Sequence, residues 1–171
     1  MVKFGETAVR LCRAKSRYPI MKIIAVSQRV DIISSREEKR DALDQRLVSF
    51  LGRAGFICMP ISNAFLFEGQ SSSKAVIGNL MLQISPSALL LSGGNDLGEF
   101  QDRDETENIL LDYAESNNMP VLGICRGMQM MATRSGAKLK RVSGHTNSRH
   151  RITGIITREV NSYHQYGFYD C

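Results

Sequence analysis

The chain of 171 residues holds no apolar run approaching the roughly 20 residues a helix needs to cross a bilayer, so no such span is expected. Cysteine is sparse. Cys12, Cys58, Cys125 and Cys171 are scattered without the paired spacing of a metal knuckle, and the three histidines (His145, His150, His164) lie near none of them in sequence. That pattern leads us to expect no metal site and no cofactor. No secretory leader is recognised, so the thiols are expected to be reduced and the protein cytoplasmic. A net charge of +5 is small, and its placement weakens a nucleic-acid reading. Residues 1–20 carry Lys3, Arg10, Arg13, Lys15 and Arg17 against Glu6 alone, which leaves the body nearly neutral. A second basic stretch (Arg134, Lys138, Lys140, Arg141, Arg149, Arg151) reads as solvated surface. Neither nucleic acid nor membrane is expected as a partner.

What is present is an ordinary globule. The sequence is 43% apolar and 23% charged, long enough for one domain with its own core. Residues 1–20 read as an appended or misassigned start, with an Arg-rich organelle leader as the alternative; residues 21–171 read as the domain. Apolar β-branched runs predict strands at 22–27, 56–61, 88–91 and 121–124. Apolar spacings of three and four predict helices over 35–54, with Ala42, Leu43, Leu47, Phe50 and Leu51 on one face, and over 71–83, with Ala75, Val76, Leu80 and Leu82 inward. Helices are also predicted over 104–117 and 126–134, and a further strand over 152–160. Strands alternating with helices predict a three-layer, flavodoxin/Rossmann-like α/β fold, a mainly parallel sheet with helices on both faces. Ligands bind such sheets at the strands' carboxyl ends.

Two glycine-bearing motifs fall at those ends. Pro120-Val121-Leu122-Gly123-Ile124-Cys125-Arg126-Gly127-Met128-Gln129 places a cysteine where a strand turns into a helix. Flanking glycines allow unusual backbone angles and close substrate approach, and the helix start favours a thiolate. A lone cysteine in such a run otherwise reads as a small buried hydrophobe. A cysteine-phosphatase loop is excluded, because Met131 stands where Cys-x5-Arg needs arginine. The second motif is Leu91-Ser92-Gly93-Gly94-Asn95-Asp96. Alone it reads as a generic turn, and no Lys-Ser/Thr follows to make a phosphate loop. Beside a nucleophile it fits a donor of backbone N–H to an oxyanion, a role a side chain would obstruct.

Gly-Ile-Cys-Arg-Gly-Met-Gln resembles the Gly-x-Cys-x-Gly-x-Gln elbow of class I glutamine amidotransferases. With Ser-Gly-Gly-Asn-Asp, Arg103-Asp104 and Glu107, and Asn161-Ser162-Tyr163-His164 in this order, the chain resembles the γ-glutamyl hydrolase (peptidase C26-like) branch of that superfamily over about residues 21–168. Within it, the chain is most similar to the γ-glutamyl-CDP-amidate hydrolase type of capsule and surface-polysaccharide clusters. The resemblance implies a thiol amidase acting on a small glutamyl substrate. Cys125 would be its nucleophile, and Gly94 and Arg126 would give the backbone oxyanion hole. Gln129, Asn161, Ser162, Tyr163 and His164 would lie at the glutamyl end. Arg103 and Asp104 are expected to be structural.

The branch's catalytic histidine and glutamate sit in a late His-x-Glu element that is not found in residues 21–171, so the domain is expected to be C-terminally incomplete. His164 belongs to the earlier Asn-Ser-x-His loop, and His145 and His150 read as surface loop. An exposed sheet edge, with lowered stability or self-association, is expected to follow. Three functions stay open at this point. One is γ-glutamyl amide hydrolysis, alone or beside a partner synthase that takes the ammonia. Another is an inactive glutamyl-binding or regulatory domain, and the third is a redox-sensing thiol.

Overall fold

The computed structural model describes residues 20–65 and 73–168. Most of the extension read over residues 1–20, together with Cys12 and Cys171, lies outside the described residues. The frame is a four-stranded, all-parallel sheet. Its strands are β1 (Lys22–Ser27), β4 (Phe56–Ile61), β5 (Ala88–Leu91) and β6 (Val121–Gly123), in the order β4-β1-β5-β6. Ile24 and Val26 of β1 join Leu90 of β5 on one face, against Leu51, Leu43 and Leu47 on or beside α1 (Gln45–Arg53). Ala25 and the alternate residues Leu89 and Leu91 point to the other face. There they meet Ile77 and Met81 of α2 (Ser73–Ile84), Leu110, Leu111 and Ala114 of α3 (Gln101–Ser116), and Met130 of α4 (Arg126–Arg134). The period-2 alternation of short apolar strands thus covers both faces with helices, as the sequence predicts.

Three expectations are corrected. Residues 35–54 are not one helix. β2 (Arg29–Ile33) and β3 (Glu38–Ala42) form an antiparallel hairpin first, and the helix starts only after Asp44, whose side chain caps the Arg46 amide at 2.8 Å. Ala42 therefore belongs to a strand, and Phe50 is exposed. In α2 the inward face is Ile77 and Met81, whereas Ala75 and Leu82 face solvent. The strand expected over 152–160 is two: β8 (Thr146–Ile152) and β9 (Arg158–Tyr163), joined by a turn. Among the described residues this hairpin pairs only with itself, and beside it β7 (Lys140–Arg141) pairs with β10 (Tyr166–Gly167). β6 lies at the edge of the sheet, with Leu122 more than half exposed.

Candidate active site

Cys125 sits between β6 and α4 at φ 51° and ψ −107°, a region that side-chain-bearing residues rarely enter, and its residue is exposed. The corner is held by backbone: the Ile124 amide donates to Leu91 O (2.9 Å) and the Gly127 amide to Ile124 O (2.9 Å). Close packing requires both flanking glycines. A Cβ on Gly123 would lie 2.5 Å from the Met128 amide nitrogen, and one on Gly127 would fall on the Leu91 carbonyl. The positive φ belongs to the cysteine itself.

The second motif lies alongside. A Cβ on Gly93 would come 3.5 Å from Cys125 Cβ. Gly94 (φ 83°) and Asn95 (φ 59°) turn the chain, and Asn95 is tied to β2, its Oδ1 accepting from Val30 N (2.8 Å) and its Nδ2 donating to Val30 O (3.0 Å). Gly94, Cys125, Arg126, Gln129, Tyr163 and His164 line one cleft of about 250 Å³, together with Asn95, Asp96 and Glu99.

Beneath that cleft lies a buried charge cluster. Arg103 is fully buried, and its guanidinium donates to the carbonyls of Ser92 (2.9 Å), Gly93 (3.1 Å) and Gly94, and to Asn95 Oδ1 (2.9 Å). Glu107, equally buried, accepts from Arg103 Nε (3.1 Å), from Ser27 Oγ (2.8 Å) and from Arg126 Nη1. Arg126 also reaches Asp104. Ser27 Oγ in turn accepts from the Ser92 amide at 3.0 Å. Two cations and two carboxylates thus bind the glycine turn, α3 and the elbow into one unit. Burial pulls the Arg103 guanidinium down to about 10, opposed mainly by Glu107, so it stays cationic at neutral pH. The sequence marks Arg103 and Asp104 as structural, but it gives no sign that the Arg126 side chain turns inward to join them.

The structure brings Cys125, Gly94, Arg126, Gln129, Tyr163 and His164 together. Asn161 and Ser162 are not on the cleft wall. Asn161 is an exposed position of β9 opposite Arg149, and Ser162 is buried with its Oγ unpaired among the described residues. The Gln129 amide donates to Tyr166 O at 2.9 Å, fastening the 163–166 loop to α4. His145 and His150 are not free surface loop as expected. Both are half-buried and gathered against His164, with His145 Nδ1 3.3 Å from His164 Nε2. Among the described residues no hydrogen bond engages the Cys125 thiol, and His164 uses its ring nitrogens on His145 and on Tyr166 O (2.9 Å).

Known proteins resemble this chain in part of its sequence and in its fold. Two glutamine-hydrolyzing GMP synthases, from Ruthia magnifica and Vesicomyosocius okutanii, are each 33% identical over 63 and 86 residues. Those stretches cover 37% and 50% of this chain but only 11% and 12% of the synthases, so the chain spans a small part of their length. A Thermoplasma acidophilum protein assigned as a GMP synthase subunit has a similar fold. Its TM-score is 0.59 at 18% identity, over 88% of this chain and 68% of that one. A Peptidase C26 family model matches residues 19–165, and the chain therefore belongs to the Peptidase C26 family, within the class I glutamine amidotransferase-like group.

Proposed function

We propose that this protein hydrolyses a γ-glutamyl amide through Cys125. The Cys125 sulfur attacks the γ-carbonyl carbon and forms a tetrahedral intermediate. The C–N bond then breaks, and the amine leaves with a proton. Water next opens the thioester, releasing glutamate and the free thiol. The observation that carries this reading is the strained, exposed corner at Cys125 set directly against the Gly93–Gly94 turn.

Peptide geometry supports an oxyanion hole at Gly94 and Arg126. In a trans peptide the C=O and the next N–H point in opposite directions. Gly93 O points at the buried Arg103 guanidinium, so the Gly94 N–H faces away from it. The Arg126 amide is one of the orphan donors in the first turn of α4. Together they supply the two donors that acyl transfer needs, each worth on the order of 10²–10³ in rate. Arg103 is thus a positioning residue for Gly94, and Gln129, Tyr163 and His164 form the glutamyl end of the cleft.

In its finer form the substrate is glutamine or a conjugate such as a γ-glutamyl-CDP-amidate. The synthase names of the relatives support a variant in which the ammonia passes to a synthase partner. A second reading, a glutamyl-binding domain without turnover, is favoured by one observation: among the described residues no histidine is hydrogen-bonded to the thiol. General acid–base help is worth about 10²–10⁴-fold, so a chain lacking it would bind and barely turn over. The separating experiment measures glutamate release from glutamine and from γ-glutamyl conjugates, beside ligand binding by calorimetry. Release that disappears in Cys125→Ala supports the hydrolase. Binding without release supports the second reading, and unchanged release in Cys125→Ala overturns the nucleophile assignment.

A further inference from the structure

The only three histidines of the chain converge, although they lie 5 and 14 residues apart in sequence. His145 precedes β8, His150 lies within it, and His164 follows β9, so the base of the hairpin gathers them. Regular strand alternation would place positions 145 and 150 on opposite faces. A bulge prevents that. The register shifts between Thr146 and Ser148, and Asn147 takes the left-handed conformation at φ 51°. One inserted residue restores the two imidazoles to the same side. Their ring centroids stand 4.7 Å apart, and those of His145 and His164 stand 4.8 Å apart.

We infer that His145, His150 and His164 form a binding site for one zinc-type divalent metal ion, a role that goes beyond the proposed hydrolysis and does not rest on it. One ligand atom from each ring lies within 4.8 Å of the others. Two nitrogens bound at 2.0–2.1 Å with a tetrahedral angle stand about 3.3 Å apart, and His145 Nδ1 and His164 Nε2 are separated by 3.3 Å. The second sign of ligation is the outer contact of His164. Its Nδ1 faces Tyr166 O at 2.9 Å, and a carbonyl can only accept, so Nδ1 carries the hydrogen. The lone pair of the neutral ring then sits on Nε2, facing His145. A ligating histidine anchored by its other N–H to a backbone carbonyl is the usual arrangement around a metal. Imidazole nitrogens suit zinc, copper and nickel more than magnesium or calcium. The rings are half-buried, which limits competing water.

The site has a mechanical use. The β8–β9 hairpin pairs only with itself among the described residues. A metal ion would join its two strands at the base and fix the loop whose Tyr166 carbonyl also receives Gln129. His164 lines the Cys125 cleft, so the ion would stiffen one wall of it.

The test uses the full chain without an affinity tag, stripped by chelator and titrated with zinc by calorimetry and with cobalt by visible absorption. We expect one ion per chain, and an intense four-coordinate cobalt spectrum without a thiolate charge-transfer band. Affinity should fall at least tenfold in His150→Ala and stay unchanged in Cys125→Ser. Equal affinity in His150→Ala and the parent chain would overturn the site, and so would loss of binding in Cys125→Ser. If His150→Ala does not fold, the cobalt spectrum of the unaltered chain decides. A weak six-coordinate spectrum, a thiolate band or no spectral change each contradicts a three-histidine site. These readouts are independent of amide hydrolysis, so failure of one proposal leaves the other standing.

Discussion

Glu107→Gln tests the buried charge cluster in isolation. The substitution keeps the size and shape of the side chain but removes one of two carboxylates facing Arg103 and Arg126. All three side chains are essentially inaccessible. The two guanidiniums are then left with the carboxylate of Asp104, which pairs with Arg126 and also accepts from the Gly98 amide at 2.8 Å. At about 4 Å and an effective dielectric near 20, one lost opposite charge amounts to roughly 4 kcal/mol. Buried pairs broken from one side typically lose about 3–5 kcal/mol. In a chain of this length each kcal/mol moves the melting temperature by about 2–4 °C. We therefore expect Glu107→Gln to melt at least 6 °C below the parent by circular dichroism. As a control, Glu115→Gln removes an exposed carboxylate paired with Arg134 and should cost no more than about 1 kcal/mol. If the two variants melt alike, the cluster does not hold the elbow to α3 and the reasoning fails.

Three further outcomes follow from the same contacts. Cys125→Gly should raise stability by about 1 kcal/mol, because glycine accepts the backbone angles that strain a side-chain-bearing residue; a melting temperature below that of Cys125→Ala would contradict the strain. Gly127→Ala should destabilise by about 1–3 kcal/mol, since the added methyl falls on the backbone of β5, and a chemical melt with unchanged midpoint would refute the close approach. Hydrogen bonds from Lys74 and then Arg134 hold the Asp112 carboxyl below its ordinary value. A lowered folded value means that the stabilisation is present above the unfolded value near pH 3.9 and is lost as pH falls through the folded one. The Asp112 side chain is 37% exposed and screened by solvent, so Asp112→Asn should cost only about 0.5 kcal/mol at pH 7 and nothing once the carboxylate is protonated in both states. A cost that persists in strong acid would argue against the ion pairs.

The parallel sheet was legible because its strands are short apolar runs with no competing pattern: Ile24, Val26 and Leu90 alternate with Ala25, Leu89 and Leu91 across two covered faces. The elbow was legible because its glycines flank a cysteine at a strand end. The β2–β3 hairpin was missed for a physical reason. Its residues are charged and half-exposed, so Glu38-Lys39-Arg40-Asp41 shows no apolar alternation, and its register is set partly from outside, by Asn95 on Val30 and by Asp41 on Asn63. The inward turn of Arg126 was hidden because an arginine beside a nucleophile reads as solvent-facing, and only its partners Asp104 and Glu107 on α3 reveal otherwise. The histidine cluster depends on a one-residue bulge at Asn147, which alternation in sequence does not disclose.

The central claim is that Cys125 is presented for attack on a glutamyl carbonyl. Its most direct test is mass spectrometry of the chain after exposure to a glutamine-shaped electrophile, with peptide mapping of the modified site. The account predicts a single adduct on Cys125, suppressed by excess glutamine and absent in Cys125→Ser. Labelling of the more buried Cys58 instead, whose thiol burial pushes up, or labelling of Cys125 that glutamine does not suppress, would contradict it.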